Sequence, residues 1–295
     1  MQITNKMGLP QTLVNACETE KHNKPGEISA TTLLKGAKAV VLTDRHWEDL
    51  TADVTELAYS IEGTAFHKFL EMKNPDAFTE ERFSVQIQDK VVTGQVDLYD
   101  MENGIIFDYK RTSVWKSVYK NYEDWRKQGL IYAYLMRQNG LTVNKCVFVM
   151  LFRDWSKTES LKNADYPKAP IQTVEFDVTD EALEEIEAYI RQKVAEISKA
   201  ETMADDEIEP CSEEERWARP TIYAVMKKGR KTAVNAKLTN KAEAEAMAAT
   251  IDGGYVEERK GVSAKCEGYC SCCDFCKFYK ENCQNGGEDN GENAA

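Results

Sequence analysis

Asp97, Asp108 and Lys110 stand close together in the stretch GQVDLYDMENGIIFDYK. Phosphodiester hydrolysis needs the scissile phosphate neutralised and a water aimed in line with it. A magnesium or manganese ion supplies both, and such hard cations are held by carboxylate and carbonyl oxygens. Asp97 and Asp108 are the candidate ligands. Lys110, two residues on, would position or polarise the attacking water and stabilise developing negative charge. The structural alternative is an exposed sheet face carrying a cross-strand ion pair.

The element that must position these groups is a hairpin. Asn103-Gly104 is a strong short-range signal for a two-residue loop, because both residues tolerate positive φ. That loop would pair Glu102 with Ile105 and set Asp97 opposite Lys110. A four-residue turn would instead set Asp97 opposite Asp108. In either register the period of two places Asp97, Asp108 and Lys110 on one face. Val96, Leu98, Ile105, Phe107 and Tyr109 form an apolar set on the other face that fixes the register by being buried.

Around the hairpin, residues 1–27 read as a mostly irregular arm punctuated by Pro10, Pro25 and Gly26. Ser29 offers an N-cap for a segment through Leu33 and Leu34, and a helical pattern covers Asp53 to Met72 with His67 inside it. Phe83–Asp89 and Lys90–Tyr99 read as strands, Trp125–Met136 as a helix and Lys145–Arg153 as a buried strand. Leu183, Ile186, Tyr189, Ile190, Val194 and Ile197 follow helical spacing after a cap at Thr179 or Asp180. The run DDEIEPCSEEERW marks a composition shift. Residues 220–260 then read as a strand–helix–strand insert, and the last dozen residues as disordered.

With 295 residues, 42% of them hydrophobic, the chain can bury one large core, or one core and a small appendage. It carries no apolar run of membrane-spanning length and no secretory layout, so a cytoplasmic protein with no membrane association is expected. The net charge of −12 is unevenly spread. Lys110, Arg111, Lys116, Lys120, Arg126 and Lys127 are interleaved with Trp115, Tyr119, Tyr122 and Trp125, with Glu123 and Asp124 as the only acids between them. Lys227, Lys228, Arg230, Lys231, Lys237 and Lys241 follow with no acid among them. Each stretch is either a nucleic-acid contact or an ordinary solvated face.

Nine cysteines are present, and six fall between Cys266 and Cys283. In a reducing compartment such a cluster binds metal rather than forming disulfides. Four thiolates suit structural zinc or an iron–sulfur cluster, and spacing leaves both open. Cys146, inside an apolar strand, reads as a core residue.

The segments GTAFHKFLE, GQVDLYD, IIFDYKRT and QGLIYAY, in that order and spacing, resemble the RecB-like branch of the PD-(D/E)XK nuclease superfamily, and phage-encoded members of it in particular. The resemblance implies an α/β fold with a mixed central sheet flanked by helices and a small Cys-rich, metal-stapled C-terminal subdomain. It implies a Mg²⁺- or Mn²⁺-dependent DNA exonuclease acting on single strands or duplex ends in recombination, repair or replication. A recombination or helicase protein would be its partner, and a bacterial host its compartment. His67, Asp97 and Asp108 would bind the metal together with the backbone carbonyl of Tyr109. Lys110 would be the catalytic lysine, and Gln128 with Tyr132 would match the QxxxY motif that contacts DNA. The family's second acid is usually Glu, so Asp108 is a departure that moves a carboxylate by about one methylene, enough to change rates.

By the same resemblance a [4Fe-4S] cluster, with Zn²⁺ as the alternative, would be held by Cys211, Cys266, Cys270 and Cys276. Cys17 is an alternative for the distant ligand, and Cys272, Cys273 and Cys283 are alternatives within the group. The expected organisation is an arm (1–27), a nuclease core (28–205), a Cys-cluster subdomain (206–283) and an acidic tail (284–295). The rival reading is a catalytically inactive DNA-binding or recombination-partner module with a structural zinc or iron–sulfur site.

Overall fold

The computed structural model describes residues 1–18, 24–74 and 77–284, and divides into two units, Met1–Thr202 and Met203–Ala295. The expected disordered tail lies outside the described residues from position 285 on. The first unit begins β1 (Gln2–Thr4), α1 (Gln11–Ala16), β2 (Glu27–Ser29), α2 (Ala30–Leu33), α3 (Ala37–Arg45), β3 (Thr51–Asp53) and α4 (Ala58–Lys73). It continues β4 (Thr79–Ile87), β5 (Lys90–Asp100), β6 (Ile105–Thr112), α5 (Trp115–Tyr119) and α6 (Glu123–Gln138). It closes with β7 (Lys145–Phe152), α7 (Lys157–Lys162), β8 (Ile171–Asp177) and α8 (Asp180–Glu201).

Six strands make one mixed sheet in the order β2-β5-β6-β7-β8, with β4 also paired to β5. β4, β5 and β6 run antiparallel, β6 and β7 parallel, and β7 and β8 antiparallel. The parallel pair needs a crossover, which α6 provides. α6 is buried almost continuously from Gln128 to Met136, lying against the sheet on one side and α8 on the other. α8 starts at Thr179, whose side chain accepts from Ala182 N, and buries Ile186, Ile190, Val194 and Ile197. This is the mixed α/β architecture the sequence implies.

The central hairpin takes the four-residue loop, not the two-residue one. Asp100 pairs with Ile105, Tyr99 with Ile106 and Leu98 with Phe107. The loop is set by Asp100, whose carboxylate accepts from the backbone N–H of Glu102 (3.1 Å) and Asn103 (3.2 Å), an Asx-type closure that the Asn-Gly signal does not report. Gly104 is required there. Its φ is +66°, and a Cβ would lie 2.7 Å from Asn144 Nδ2.

The apolar set expected to bury itself is only partly buried. Val96 is buried, whereas Leu98, Ile105, Phe107 and Tyr109 are intermediate, and the more buried positions of β6 are Ile106 and Asp108. The acid therefore sits on the better-covered face, beneath α6.

The N-terminal arm is irregular over most of its described residues, and it also contributes β1, which pairs in parallel with β3, and α1. The helix expected from Asp53 begins at Ala58, because Thr51–Asp53 is taken by that pairing. Asp53 clamps the arm by accepting from Lys6 N (3.0 Å), Thr4 Oγ1 (2.9 Å) and Thr55 Oγ1 (2.7 Å).

The second unit contains β9 (Ala218–Arg219), β10 (Ile222–Lys227), α9 (Lys241–Ala249), β11 (Gly254–Arg259), β12 (Val262–Ser263), α10 (Ala264–Gly268) and α11 (Lys277–Asn282). β10 and β11 pair antiparallel. A small core of Val225, Ala244 and Ala248, flanked by Tyr223, Val234, Leu238 and Val256, joins α9 to them. No helix among the described residues is long and apolar enough to cross a membrane.

Candidate active site and thiol cluster

Extending the β5–β6 register by one residue sets Asp97 opposite Asp108, and there the strands exchange a side-chain bond. Asp97 Oδ2 accepts from the backbone N–H of Tyr109 at 2.7 Å. The other oxygen, Oδ1, lies 3.3 Å from Nδ1 of His67, which α4 carries to this edge. The same nitrogen lies 3.4 Å from Glu80 Oε1. One ligand atom from each of His67, Glu80 and Asp97 falls within 4.8 Å of the others.

Glu80 was not among the residues read from the sequence. It lies on β4 between the pairs Thr79–Leu98 and Glu81–Val96, so register places it opposite Asp97. Its φ is +54°, a left-handed conformation that costs a non-glycine residue on the order of 1–3 kcal/mol and so needs support from its surroundings. Gln95 Nε2 donates to its Oε2 at 2.7 Å. Burial first, and then the Asp97 charge, raises the Glu80 carboxyl above its ordinary value. The His67 imidazole is raised chiefly by its hydrogen bond to Asp97, against the opposing effect of burial. The trio lines a small cleft with Leu70, Glu71, Leu98 and Tyr109.

Deeper on the same face, Asp108 is 3% exposed. Its Oδ1 lies 2.8 Å from Lys110 Nζ as an ion pair, without a hydrogen bond of good geometry. Gln128, from α6, binds both partners. Its Oε1 accepts from Lys110 Nζ at 3.0 Å, while its Nε2 donates to Asp108 Oδ2 at 3.3 Å and to Tyr132 OH at 2.8 Å. This amide orientation satisfies an ammonium on one side and a carboxylate on the other. Burial pushes the Asp108 carboxyl up to about 6, with Lys110 opposing and Asp97 reinforcing the shift. The Tyr132 hydroxyl is pushed up too, first by burial and then by Asp108.

Tyr132 reaches this position because β5 has a glycine beneath it. A Cβ on Gly94 would meet Tyr132 Cδ1 at 2.8 Å and Leu135 Cδ1 at 2.9 Å. Lys110 Nζ also lies 5.6 Å from the Phe148 ring centre, a cation–π distance.

The structure thus brings together His67, Asp97, Asp108, Tyr109, Lys110, Gln128 and Tyr132. Asp108 contacts Lys110 and Gln128 rather than the His67 trio, and the recorded backbone contact of Tyr109 is made by its N–H.

Beyond the site, Arg111 donates to Glu62 on α4, with Nε 3.0 Å from Oε1. The Trp115 and Tyr119 rings stack at 5.8 Å between centres, 51% and 74% exposed. Asp154 fixes the loop that carries Trp115, accepting from Ser113 Oγ (2.6 Å) and Val114 N (2.7 Å).

In the second unit, the described cysteines form no disulfide. The Cys266 thiol is pushed up to about 12, first by burial and then by the thiols of Cys270, Cys283, Cys211 and Cys276. Cys270 and Cys272 Sγ lie 3.6 Å apart. Cys146 is 1% exposed in β7, its thiol also raised to about 12 by burial and then Asp108, and it packs as core.

The chain matches the family model of the PD-(D/E)XK nuclease superfamily over residues 18–216, and it belongs to that superfamily. Among solved structures it is similar to a phage-related exonuclease from Haemophilus somnus 129PT (15% identity, 58% of this chain and 96% of that one, TM-score 0.34). It is also similar to an alkaline exonuclease, LHK-Exo, from Laribacter hongkongensis (11% identity, 59% and 89%, TM-score 0.36). A third is a putative exonuclease from Eubacterium rectale (15% identity, 64% and 71%, TM-score 0.31). No curated protein matches the chain.

Proposed function

We propose that this nuclease-superfamily chain is a Mg²⁺- or Mn²⁺-dependent deoxyribonuclease of the RecB-like branch, hydrolysing DNA from single-stranded or duplex ends. The observation that carries the reading is the convergence of His67, Glu80 and Asp97 within 4.8 Å, beside the Asp108–Lys110 pair at 2.8 Å. The donor set fits a hard divalent cation: an imidazole nitrogen, carboxylate oxygens, and a buried Asp108 Oδ1 without a well-directed hydrogen bond. His67, Asp97 and Asp108 would hold the ion with the Tyr109 carbonyl, and Glu80 joins them.

A bound divalent ion supplies charge neutralisation on the phosphate and a more acidic water. The protein's own part is positional. Gln128 holds the Lys110 ammonium so that it can orient the attacking water and stabilise the negative charge that develops on the phosphate. Tyr132 anchors Gln128 from the next helical turn. The exposed Trp115–Tyr119 pair offers a stacking platform for unpaired bases, and the exposed Lys120 beside it would meet the backbone.

In the second unit, Cys211, Cys266, Cys270 and Cys276 would hold a [4Fe-4S] cluster, with Zn²⁺ as the alternative. The six cysteines between Cys266 and Cys283 support a soft-metal site. Absorbance near 400 nm in anaerobically purified protein, on the order of wavelength expected for iron–sulfur chemistry, separates the two metals.

The test of the catalytic reading uses purified protein, Mn²⁺ and end-labelled single-stranded and duplex DNA. Wild type is expected to degrade the label, while Asp97→Ala and Lys110→Ala lose activity. Equal activity in all three would reject the assignment. Binding without any metal-dependent product would favour an inactive DNA-binding module.

A further inference from the structure

The second unit carries a basic surface that the active site does not use. Lys227, Lys228, Arg230, Lys231, Lys237 and Lys241 run from the end of β10 through the connecting loop to the start of α9, and all six are exposed. Among the described residues none of them forms an ion pair. Lys157, Lys162 and Lys199 of the first unit form none either, but they stand among acids in the sequence, whereas no acid falls between positions 227 and 241. Lys90, Arg111, Lys116, Lys145, Arg191 and Arg259 each hold a carboxylate.

The β10–β11 register keeps the strand acids away from Lys227. Lys227 pairs with Gly254 at the closed end of the β10–β11 ladder, whereas Glu257 and Glu258 pair with Ala224 and Tyr223. Three to four residues at about 3.3 Å each put those acids roughly 10–13 Å along the strand. That is at or beyond the screening length of about 8–10 Å. Asp252 in the turn before β11, and Glu243 and Glu245 on α9, flank the stretch without pairing to it.

The surface also lacks the apolar centre of a protein-binding patch. Val234 and Leu238 turn inward to the small core, and no large hydrophobic side chain between positions 227 and 241 is exposed. Unpaired cations without aromatic or aliphatic anchors suit a ligand that offers a line of charge and no specific shape. In a member of a nuclease superfamily, that ligand is the phosphodiester backbone of a nucleic acid.

We propose that residues 227–241 form a sequence-independent nucleic-acid contact on the second unit, which binds the phosphodiester backbone of DNA. The proposal rests on membership of the nuclease superfamily, but not on this chain's being catalytically active.

Binding of an end-labelled 40-mer, single-stranded and duplex, is measured in EDTA, so that no cleavage is required, over 50–300 mM salt. The variants are Lys228→Gln/Lys231→Gln/Lys237→Gln and the corresponding triple Glu variant. A control replaces exposed Lys157, Lys162 and Lys199 of the first unit with Gln.

Loss of three backbone contacts should lower the slope of log affinity against log salt by about two to three. The Glu variant should fall further, and the control should keep the wild-type slope. Thermal melting and Mn²⁺-dependent turnover of a short oligonucleotide check that the variants remain folded. An unchanged slope in both triple variants, or an equal loss in the control, would overturn the proposal. If wild type fails to cleave but its salt-dependent binding still needs the three lysines, the catalytic reading falls and this one stands.

Discussion

Gln128 is the residue on which the site's internal chemistry turns. It is 6% exposed, and one amide satisfies Lys110, Asp108 and Tyr132. Gln128→Leu should leave both charges buried with poorer partners. The expected result is a loss of about 1–3 kcal/mol in urea unfolding and a fall in kcat of about 10–100-fold. Asp108 makes a second test. Although Glu is the more usual family residue, the acid here is 3% exposed and closed in by Lys110 and Gln128. Asp108→Glu should therefore overpack the site, lowering activity and costing about 1–3 kcal/mol, rather than restoring a better enzyme. Asp97, Asp108 and Lys110 were legible as candidates from their types and spacing, and His67, Gln128 and Tyr132 from the resemblance of their segments to the RecB-like branch. Glu80 was not legible. It sits in TEERF, one acid beside another, and acquires meaning only when β4 is laid against β5.

Elements with sustained periodicity were legible: β5, β6, α6, β7 and α8 each carry enough apolar residues to declare their pattern. The short ones were not. β1 and β3 are three residues each, below any period, and are held by a polar clamp at Asp53 rather than by burial. β8, IQTVEFD, shows its more exposed and half-buried positions only in alternation, with no buried residue to mark it. The loop after β5 escaped for another reason, since Asp100 outweighs the Asn-Gly signal through its two backbone bonds.

The Asp53 clamp has a pH consequence. Its carboxyl is held well below the ordinary 3.8 by hydrogen bonds, first from Lys6 N and then from Thr55. A depressed acid contributes stability that is present above the unfolded value and lost as pH falls through the folded one. Below about pH 4 the wild type should lose stability more steeply than Asp53→Asn, as read by urea unfolding at successive pH values. On α5, Trp115→Ala and Tyr119→Ala should each weaken single-strand binding by about 1–3 kcal/mol while affecting duplex binding less. Fluorescence titration in EDTA reads that difference.

At the scale of the whole chain, charge and thiols are partitioned by unit. The first unit gathers two acids and an imidazole into one cleft, and the second carries seven of the nine cysteines. Cys266→Ser should remove the metal content and any visible band of the second unit. Cys146→Ser, in a packed strand, should leave both unchanged, as metal analysis and absorbance would read. The proposed role of the acid-and-imidazole cleft is to hold a divalent ion for phosphodiester hydrolysis. The most direct measurement is Mn²⁺ titration followed by electron paramagnetic resonance, comparing wild type with Asp97→Ala and Glu80→Gln. The wild type should bind saturably and both variants about tenfold or more weakly; identical isotherms, or no binding by the wild type, would overturn that role.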